Sequence, residues 1–427
     1  MKVIFYLLTL LYLLTSAAVA EERVITLSEA CELAIRSHEL IKIAEEDLYQ
    51  AYAGVDKAFS QMLPTLTAEG SHTRYLEENA TIQPDNSSTF SLKVSQPLYT
   101  GGKEWSVRRQ ADKKVRLNKK GLESRKEDII FDVSVAYYNI LKAEKDLEIK
   151  EAASKRAGEQ TRVARARFNV GEVTKSVLLR AEAEEAGANA ELAKSKVTLT
   201  IAKVKLARLT GIETDFKIAP LKSLSVPKNM ESLIVTAVEK RKDYVQAKIE
   251  EDIAKEGVTY AKGNFMPSLK LDGVYSREDQ NPSSSSFNGE SVYGTITLTF
   301  PFFEGWLRTA EEKEAKSKVR QAELKRLNLK RDIEQDVRET FHNINAFSSI
   351  IASYERQVSF AEENYKMVFK QFTYGLATNV DVVDANTTLI SAQTGLSNTI
   401  YDLQISIIGI KKKIGILLEE ILENRIM

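Results

Sequence analysis

The chain has 427 residues, with 60 Lys+Arg against 60 Asp+Glu, 28% charged and 43% hydrophobic. It is too apolar for a disordered chain and too polar for a bundle of membrane-spanning helices. Its zero net charge speaks against a nucleic-acid partner, which calls for a basic excess. Residues 1–20 read as a secretory signal: Lys2 supplies the positive start, Val3 to Leu14 the apolar stretch, and Ala18-Val19-Ala20 the small-x-small cleavage site. The next residue is Glu21 and not Cys, so a lipid anchor on a new N-terminal cysteine is not supported. After residue 20 no stretch approaches the roughly 18 consecutive apolar residues of a spanning helix. The exported chain is therefore expected to be soluble or to cross a membrane as β-strands.

A helical segment is predicted over about 27–61, followed by extended stretches at Thr65–Tyr75 and Thr89–Leu98. In the second stretch Phe90, Leu92, Val94 and Leu98 oppose Thr89, Ser91, Lys93 and Ser95, the period of two of a half-buried strand. The polar segment Glu78–Ser88, with Pro84-Asp85-Asn86, supplies the turn between them. A very long helix over about 103–167 comes next. Then follow a break at Gly171 and a return helix ending at Gly211. Ile129, Val133, Ala136, Ile140, Ala143 and Leu147, spaced alternately by four and three, form a coiled-coil seam on the long helix. A linker at 213–230 carries Pro220 and Pro227.

The order then repeats: helix over about 231–262, strands Ser268–Tyr275 and Ser291–Phe300, long helix over about 306–371, break at Gly375, return helix to Gly415. Sliding the sequence by 204 residues sets Pro97 on Pro301, Phe168 on Phe372, Gly171 on Gly375, Thr174 on Thr378 and Gly211 on Gly415. Ten of the 45 positions from 168 to 212 are identical, which marks a duplicated unit rather than a short solenoid repeat. The domain reading is a signal at 1–20, a first repeat at 21–212, the linker, a second repeat at 231–417 and a tail at 418–427. The eight prolines agree: they leave residues 98–219 and 302–427 free for long helices.

One cysteine, Cys31, excludes an intrachain disulfide and reads as a packing residue. Three scattered histidines, His38, His72 and His342, speak against a metal site. No cofactor motif appears. Gly101-Gly102-Lys103 is not a phosphate-binding loop, because Pro97 stands where its first glycine belongs. The chain is not read as an enzyme.

An open sheet edge cannot sit in lipid, and the smallest spanning barrels have about eight strands. One chain offers four, so spanning requires several chains to share a barrel. Tyr99, Phe302, Phe303 and Trp306 cluster at the strand–helix junctions, as an interfacial aromatic belt does. The alternative is an exported structural or adhesive coiled-coil protein without channel activity, which stays soluble without detergent.

The sequence here resembles the TolC-like outer membrane factors, the exit ducts of bacterial efflux and secretion systems. The duplicated order carries the resemblance, together with Gln96-Pro97-Leu98-Tyr99-Thr100-Gly101-Gly102 and its partner Phe300-Pro301-Phe302-Phe303-Glu304-Gly305-Trp306. So do Phe168-Asn169-Val170-Gly171, Phe372-Thr373-Tyr374-Gly375-Leu376 and Asp381-Val382-Val383-Asp384-Ala385. The resemblance implies a mainly α fold of long antiparallel coiled-coil helices forming an α-barrel, with a small membrane β-portion. It implies a homotrimer whose four strands per chain close a 12-stranded barrel in the outer membrane, with the helices reaching into the periplasm. Its partners would be outer membrane lipid, a periplasmic adaptor and an inner-membrane pump, and its function passive conduction of substrate to the exterior.

By the same resemblance, Val170, Gly171, Glu172, Gly375 and Leu376 would form the tip that contacts the adaptor. Asp381, Asp384 and Tyr374 would form the aperture, with the aspartates as a cation-favouring carboxylate ring. From the residues alone, Thr378 and Asp381 also read as a capping box with Asp in place of Glu. The family's basic residue two after the second tip glycine is here Ala377, and Val177 stands opposite Asp381 in the repeat. Tyr374, Glu172 and Lys175 could supply other contacts there.

Overall fold

The computed structural model describes residues 24–76, 84–281, 283 and 289–422. The predicted signal and much of both polar turns lie outside them. Two compact units emerge, and they cut across the sequence repeat. One comprises Lys42–Leu122 and Lys242–Arg331, the other Met1–Ile41, Glu123–Arg241 and Asp332–Met427. Each therefore draws on both copies of the duplicated sequence.

The first unit holds the sheet. Strands β2 (Thr65–Arg74), β3 (Asn86–Tyr99), β5 (Ser268–Asn281) and β6 (Glu290–Thr299) pair in the order β2-β3-β5-β6, all antiparallel. Each repeat contributes one adjacent pair, and β3 and β5 join the two pairs. The register puts Leu66 opposite Val94, Leu92 opposite Tyr275, Tyr275 opposite Val292 and Leu271 opposite Ile296. One face thus carries Leu66, Ala68, Phe90, Leu92, Val94, Leu271, Tyr275, Val292, Ile296 and Leu298. The other carries Thr65, Thr67, Glu69, Ser91, Lys93, Ser95, Asp272, Thr295, Thr297 and Thr299. A sheet with a solvent core would bury its apolar face, yet Val292, Ile296 and Leu298 stay 79%, 69% and 67% exposed.

Helices α2 (Glu39–Ser60) and α6 (Lys242–Gly263) precede the two strand pairs. The expected continuous helices over 27–61 and 231–262 are interrupted. His38 and Arg241 adopt extended backbone, with ψ of 128° and 122°, and separate α2 and α6 from α1 (Leu27–Ser37) and α5 (Met230–Lys240). The break is capped rather than left open: Leu40 N–H donates to His38 Nδ1 at 3.2 Å. Neither position is Gly or Pro, so composition alone carries no sign of it.

The second unit is helical. Long helices α3 (Lys103–Asn169) and α7 (Leu307–Thr373) each run 67 residues, about 100 Å at 1.5 Å per residue. Each enters this unit partway along its length and returns through α4 (Lys175–Thr210) or α8 (Asn379–Lys413). Ile129, Val133, Ala136, Ile140 and Ala143 are buried as the seam requires, but Leu147 is only half-buried. Ile149, with Ala153, Ala157 and Ala164 beyond it, takes the buried line instead. A pair of two-residue strands, β1 (Val24–Ile25) and β4 (Lys217–Ile218), runs parallel. The buried Tyr137 hydroxyl lies 2.6 Å from the Ala219 carbonyl and 3.0 Å from that of Ile25. Helix α9 (Leu417–Leu422) packs Leu417, Leu418 and Ile421 inward.

Candidate functional site

The site predicted from sequence lies at the two turns between α3 and α4 and between α7 and α8. Both are built alike. Gly171 has φ 79° and Gly375 φ 77°, the left-handed conformation that a side chain would strain. Glu172 N–H donates to Arg167 O at 2.9 Å, and Leu376 N–H to Gln371 O at 2.9 Å, closing the last carbonyls of each long helix. Thr174 and Thr378 then cap the return helices from extended backbone.

The two caps differ. Thr378 and Asp381 form the full capping box, in which Asp381 N–H donates to Thr378 Oγ1 at 3.3 Å. Thr378 N–H and Oγ1 both donate to Asp381 Oδ2 at 2.7 Å. These bonds hold the Asp381 carboxyl below its ordinary range, so it stays ionised. Thr174 makes no side-chain cap bond: its hydroxyl pairs with Ser176 Oγ at 2.9 Å instead, and Val177 at the position equivalent to Asp381 has no carboxylate to supply the reciprocal half of a box. Asp381 and Asp384 lie on the exposed side of α8, while Val382 and Ala385 are buried on the opposite side. Tyr374 and Leu376 are 73% and 79% exposed beside Gly375, and Val170 is 71% exposed beside Gly171.

Beneath the turns, Phe372, Val382, Ala164 and Ala181 form a buried apolar plug drawn from all four helices. Arg167 crosses it. Its Nε donates to Glu172 Oε2 at 3.1 Å and its Nη1 to the Phe372 carbonyl at 3.0 Å, with the guanidinium 5.6 Å from the centre of the Phe372 ring. A Cβ on Gly375 would lie 3.2 Å from Arg167 Nη2. Further along, Gln160 Nε2 donates to Asn379 Oδ1 at 2.6 Å, and Arg156 Nε to Asn386 Oδ1 at 2.7 Å. The bonds from Arg167 to the Phe372 carbonyl, from Gln160 to Asn379 and from Arg156 to Asn386 do not appear among the expected contacts. Their only trace in the sequence is polar residues at helical spacing on a line otherwise occupied by Ala153, Ala157 and Ala164.

The aromatic residues Tyr99, Phe302, Phe303 and Trp306 belong to the sheet-bearing unit and not to this site. Phe302, Phe303 and Trp306 are 89%, 71% and 74% exposed, and Trp306 meets Phe303 edge-on at 6.0 Å. Trp306 sits at φ 69°, an uncommon strain for a bulky residue. Among the described residues no helix is long and apolar enough to cross a membrane, and no group of three His, Cys, Asp or Glu could hold a metal.

With this geometry in hand, the chain can be set beside known proteins. The outer membrane efflux protein family matches residues 31–212 and 233–415, the two repeats in turn. The outer membrane protein TolC of Vibrio cholerae serotype O1 is 27% identical over 378 residues, covering 87% of this chain and 86% of its own. The alkaline protease secretion protein AprF of Pseudomonas aeruginosa is 23% identical over 329 residues, covering 74% and 67%. The crystal structure of the outer membrane protein VceC of Vibrio cholerae superposes with a TM-score of 0.78, at 18% identity over 91% of this chain and 96% of that one, a likeness of fold.

Proposed function

The chain belongs to the outer membrane efflux protein family, and from this premise we propose that three copies assemble into an exit duct that conducts substrate passively from periplasm to exterior. It is an outer membrane channel of the efflux or type I secretion class, and its relatives are channel proteins rather than enzymes.

The observation that carries the assembly is the open sheet. Among the described residues strands β2 and β6 each pair on one side only, and the apolar face of the sheet is exposed. Unpaired N–H and C=O groups cannot be left in hydrocarbon, so β6 of one copy must meet β2 of the next until the ring closes. Three copies give 12 strands, within the even-numbered range of outer membrane barrels. Strands of 10 to 14 residues suit a tilted crossing of the bilayer. The apolar face then meets lipid and the face with Glu69, Lys93 and Asp272 lines water. The exposed Phe302, Phe303 and Trp306 suit the periplasmic interface.

The long helices carry the duct onward and the two turns form its periplasmic end. There Asp381 and Asp384 of three copies place six carboxylates around the aperture, favouring cations. Tyr374 lies beside them as a further aperture residue. Val170, Gly171, Glu172, Gly375 and Leu376 form the surface that a periplasmic adaptor engages, and an inner-membrane pump supplies the energy. Single-channel recording of the purified protein in planar bilayers tests this. Conductance that favours cations, with weaker cation preference in Asp381→Asn/Asp384→Asn, is expected. A protein that stays soluble without detergent and carries no current would overturn the reading.

A further inference from the structure

We infer that the barrel lumen carries two bands of opposite charge, a basic one set by Lys93 and Lys270 and an acidic one set by Glu69 and Glu278. The barrel is then a charge filter of its own, separate from the carboxylates at the aperture. The inference rests on the duct reading above.

The register orders the charges on the polar face of the sheet. Lys270, near the start of β5, stands opposite Thr297, and Asp272 in the next polar row stands opposite Ser95. Lys93 follows one row further, opposite Thr67. Beyond it come Glu69, opposite Ser91, and then Glu278, opposite Thr89. The other paired residues on this face are uncharged. Strand β6 contributes only Ser291, Tyr293 and threonines to it, so the line where β6 meets the next copy's β2 gains no further charge from β6. The lysines therefore lie toward the helix ends of the strands and the glutamates toward the outside.

Asp272 stands between the two lysines and meets one of them, with Lys270 Nζ 3.1 Å from its Oδ1. One carboxylate cannot neutralise two ammonium groups, so this end keeps one positive charge per chain and three per barrel. Glu278 accepts from Ser87 Oγ at 3.0 Å, a neutral donor that leaves its charge intact. With Glu69 it gives the outer end two negative charges per chain and six per barrel. Twelve strands spaced by about 4.8 Å and tilted by about 40° enclose a barrel about 24 Å across between backbones. Charge is screened over about 8 Å at physiological salt, and the side chains reach inward, so most of the cross-section feels the nearest band. Lys270 and Glu278 are eight residues apart on one strand, about 27 Å, so the bands do not cancel. An anion is drawn to the inner band and repelled by the outer one, and a cation meets the reverse, as lumen charges set selectivity in such barrels.

The test reads the potential at each band through the rates of charged thiol reagents on the full chain in membranes. Thr297→Cys probes the position opposite Lys270, and Ser91→Cys the position opposite Glu69. Each variant is treated with an anionic sulfonatoethyl and a cationic trimethylammonioethyl thiosulfonate, while the native Cys31 is buried. One charge at about 6 Å in water alters each rate by about threefold in opposite senses, and hence their ratio by about tenfold. The anionic-to-cationic ratio should be about tenfold higher for Thr297→Cys than for Ser91→Cys, and the gap should close in about 1 M salt. Lys93→Gln/Lys270→Gln should lower the ratio for Thr297→Cys, and Lys93→Arg/Lys270→Arg should preserve it. Glu69→Gln/Glu278→Gln should raise the ratio for Ser91→Cys. Loosened packing alone would move both rates together and leave the ratio where it was. The inference falls if the two positions give equal ratios, or if Lys93→Gln/Lys270→Gln leaves the ratio unchanged. Reaction with neither reagent at either position would show that this face does not line water and would overturn the duct reading itself.

Discussion

Gly101 and Gly102 are neighbours at the end of β3, and both adopt left-handed backbone, with φ of 77° and 76°. An alanine at either position carries the conformational penalty of that region, about 1–2 kcal/mol. Their surroundings differ. A Cβ on Gly102 meets nothing within 4 Å, whereas a Cβ on Gly101 would lie 2.3 Å from the Gly263 carbonyl oxygen and 2.9 Å from Met266 Cβ. The first of these is backbone at the end of α6 and cannot swing aside, so overpacking adds about 1–3 kcal/mol. For a chain of 427 residues the unfolding entropy is about 0.9 kcal/mol/K, so each kcal/mol moves the melting temperature by about 1 °C. Gly102→Ala should therefore melt about 1–2 °C below the unmodified protein, and Gly101→Ala about 2–5 °C below it. Scanning calorimetry in detergent at one fixed scan rate resolves the difference, and the shared rate keeps an irreversible transition comparable. Equal melting temperatures for the two variants would refute the reasoning, because backbone strain alone predicts equality.

Three further predictions concern other parts of the molecule. Ile296→Lys places a charge on the exposed apolar face of β6 and should cost about 2–4 kcal/mol, sharply lowering the amount recovered in outer membranes. Thr297→Lys on the opposite face should be recovered normally, and equal recovery of the two would contradict the assigned sidedness. Burial pushes the Cys31 thiol up to about 12 from an ordinary value of about 8.5. The native protein at pH 8 should react with a disulfide reagent at least about a thousandfold more slowly than after unfolding, and rapid labelling of native protein would contradict this. Because this pKa is raised on folding, its contribution to stability is complete below about 8.5 and is lost as pH climbs toward 12. Finally, Gly→Ala inside a helix ordinarily stabilises by about 0.5–1 kcal/mol. At Gly395 a Cβ would lie 2.5 Å from the Tyr354 ring, so Gly395→Ala should instead destabilise. Adding Tyr354→Ala should relieve the clash, and stabilisation by Gly395→Ala alone would show that the ring gives way.

Much of this molecule is decided locally. The period of two in β3 and β6, the proline-free runs and the glycines at 171, 211, 375 and 415 mark strands, long helices and turns without reference to anything distant. Period and φ are properties of a few consecutive residues. The repeat is legible for the same reason, since each copy needs the same breaks at the same intervals, and both members of each glycine pair have positive φ. The capping box of Thr378 and Asp381 is likewise settled within four consecutive residues, and no such box can form at Thr174 because Val177 has no carboxylate.

What escaped local reading depends on partners far away in sequence. The breaks at His38 and Arg241 occur without Gly or Pro. The buried line leaves Leu147 for Ile149. The compact units run across the repeats, because β3 pairs with β5 over a separation of nearly two hundred residues. Which of the many arginines and glutamines on α3 turn inward was open from sequence, since polar residues at helical spacing ordinarily mark a solvated face. Only the packing of α7 and α8 against α3 gives Arg156, Gln160 and Arg167 their partners, because a side chain's environment is set by the elements that cover it and not by its own neighbours in the chain.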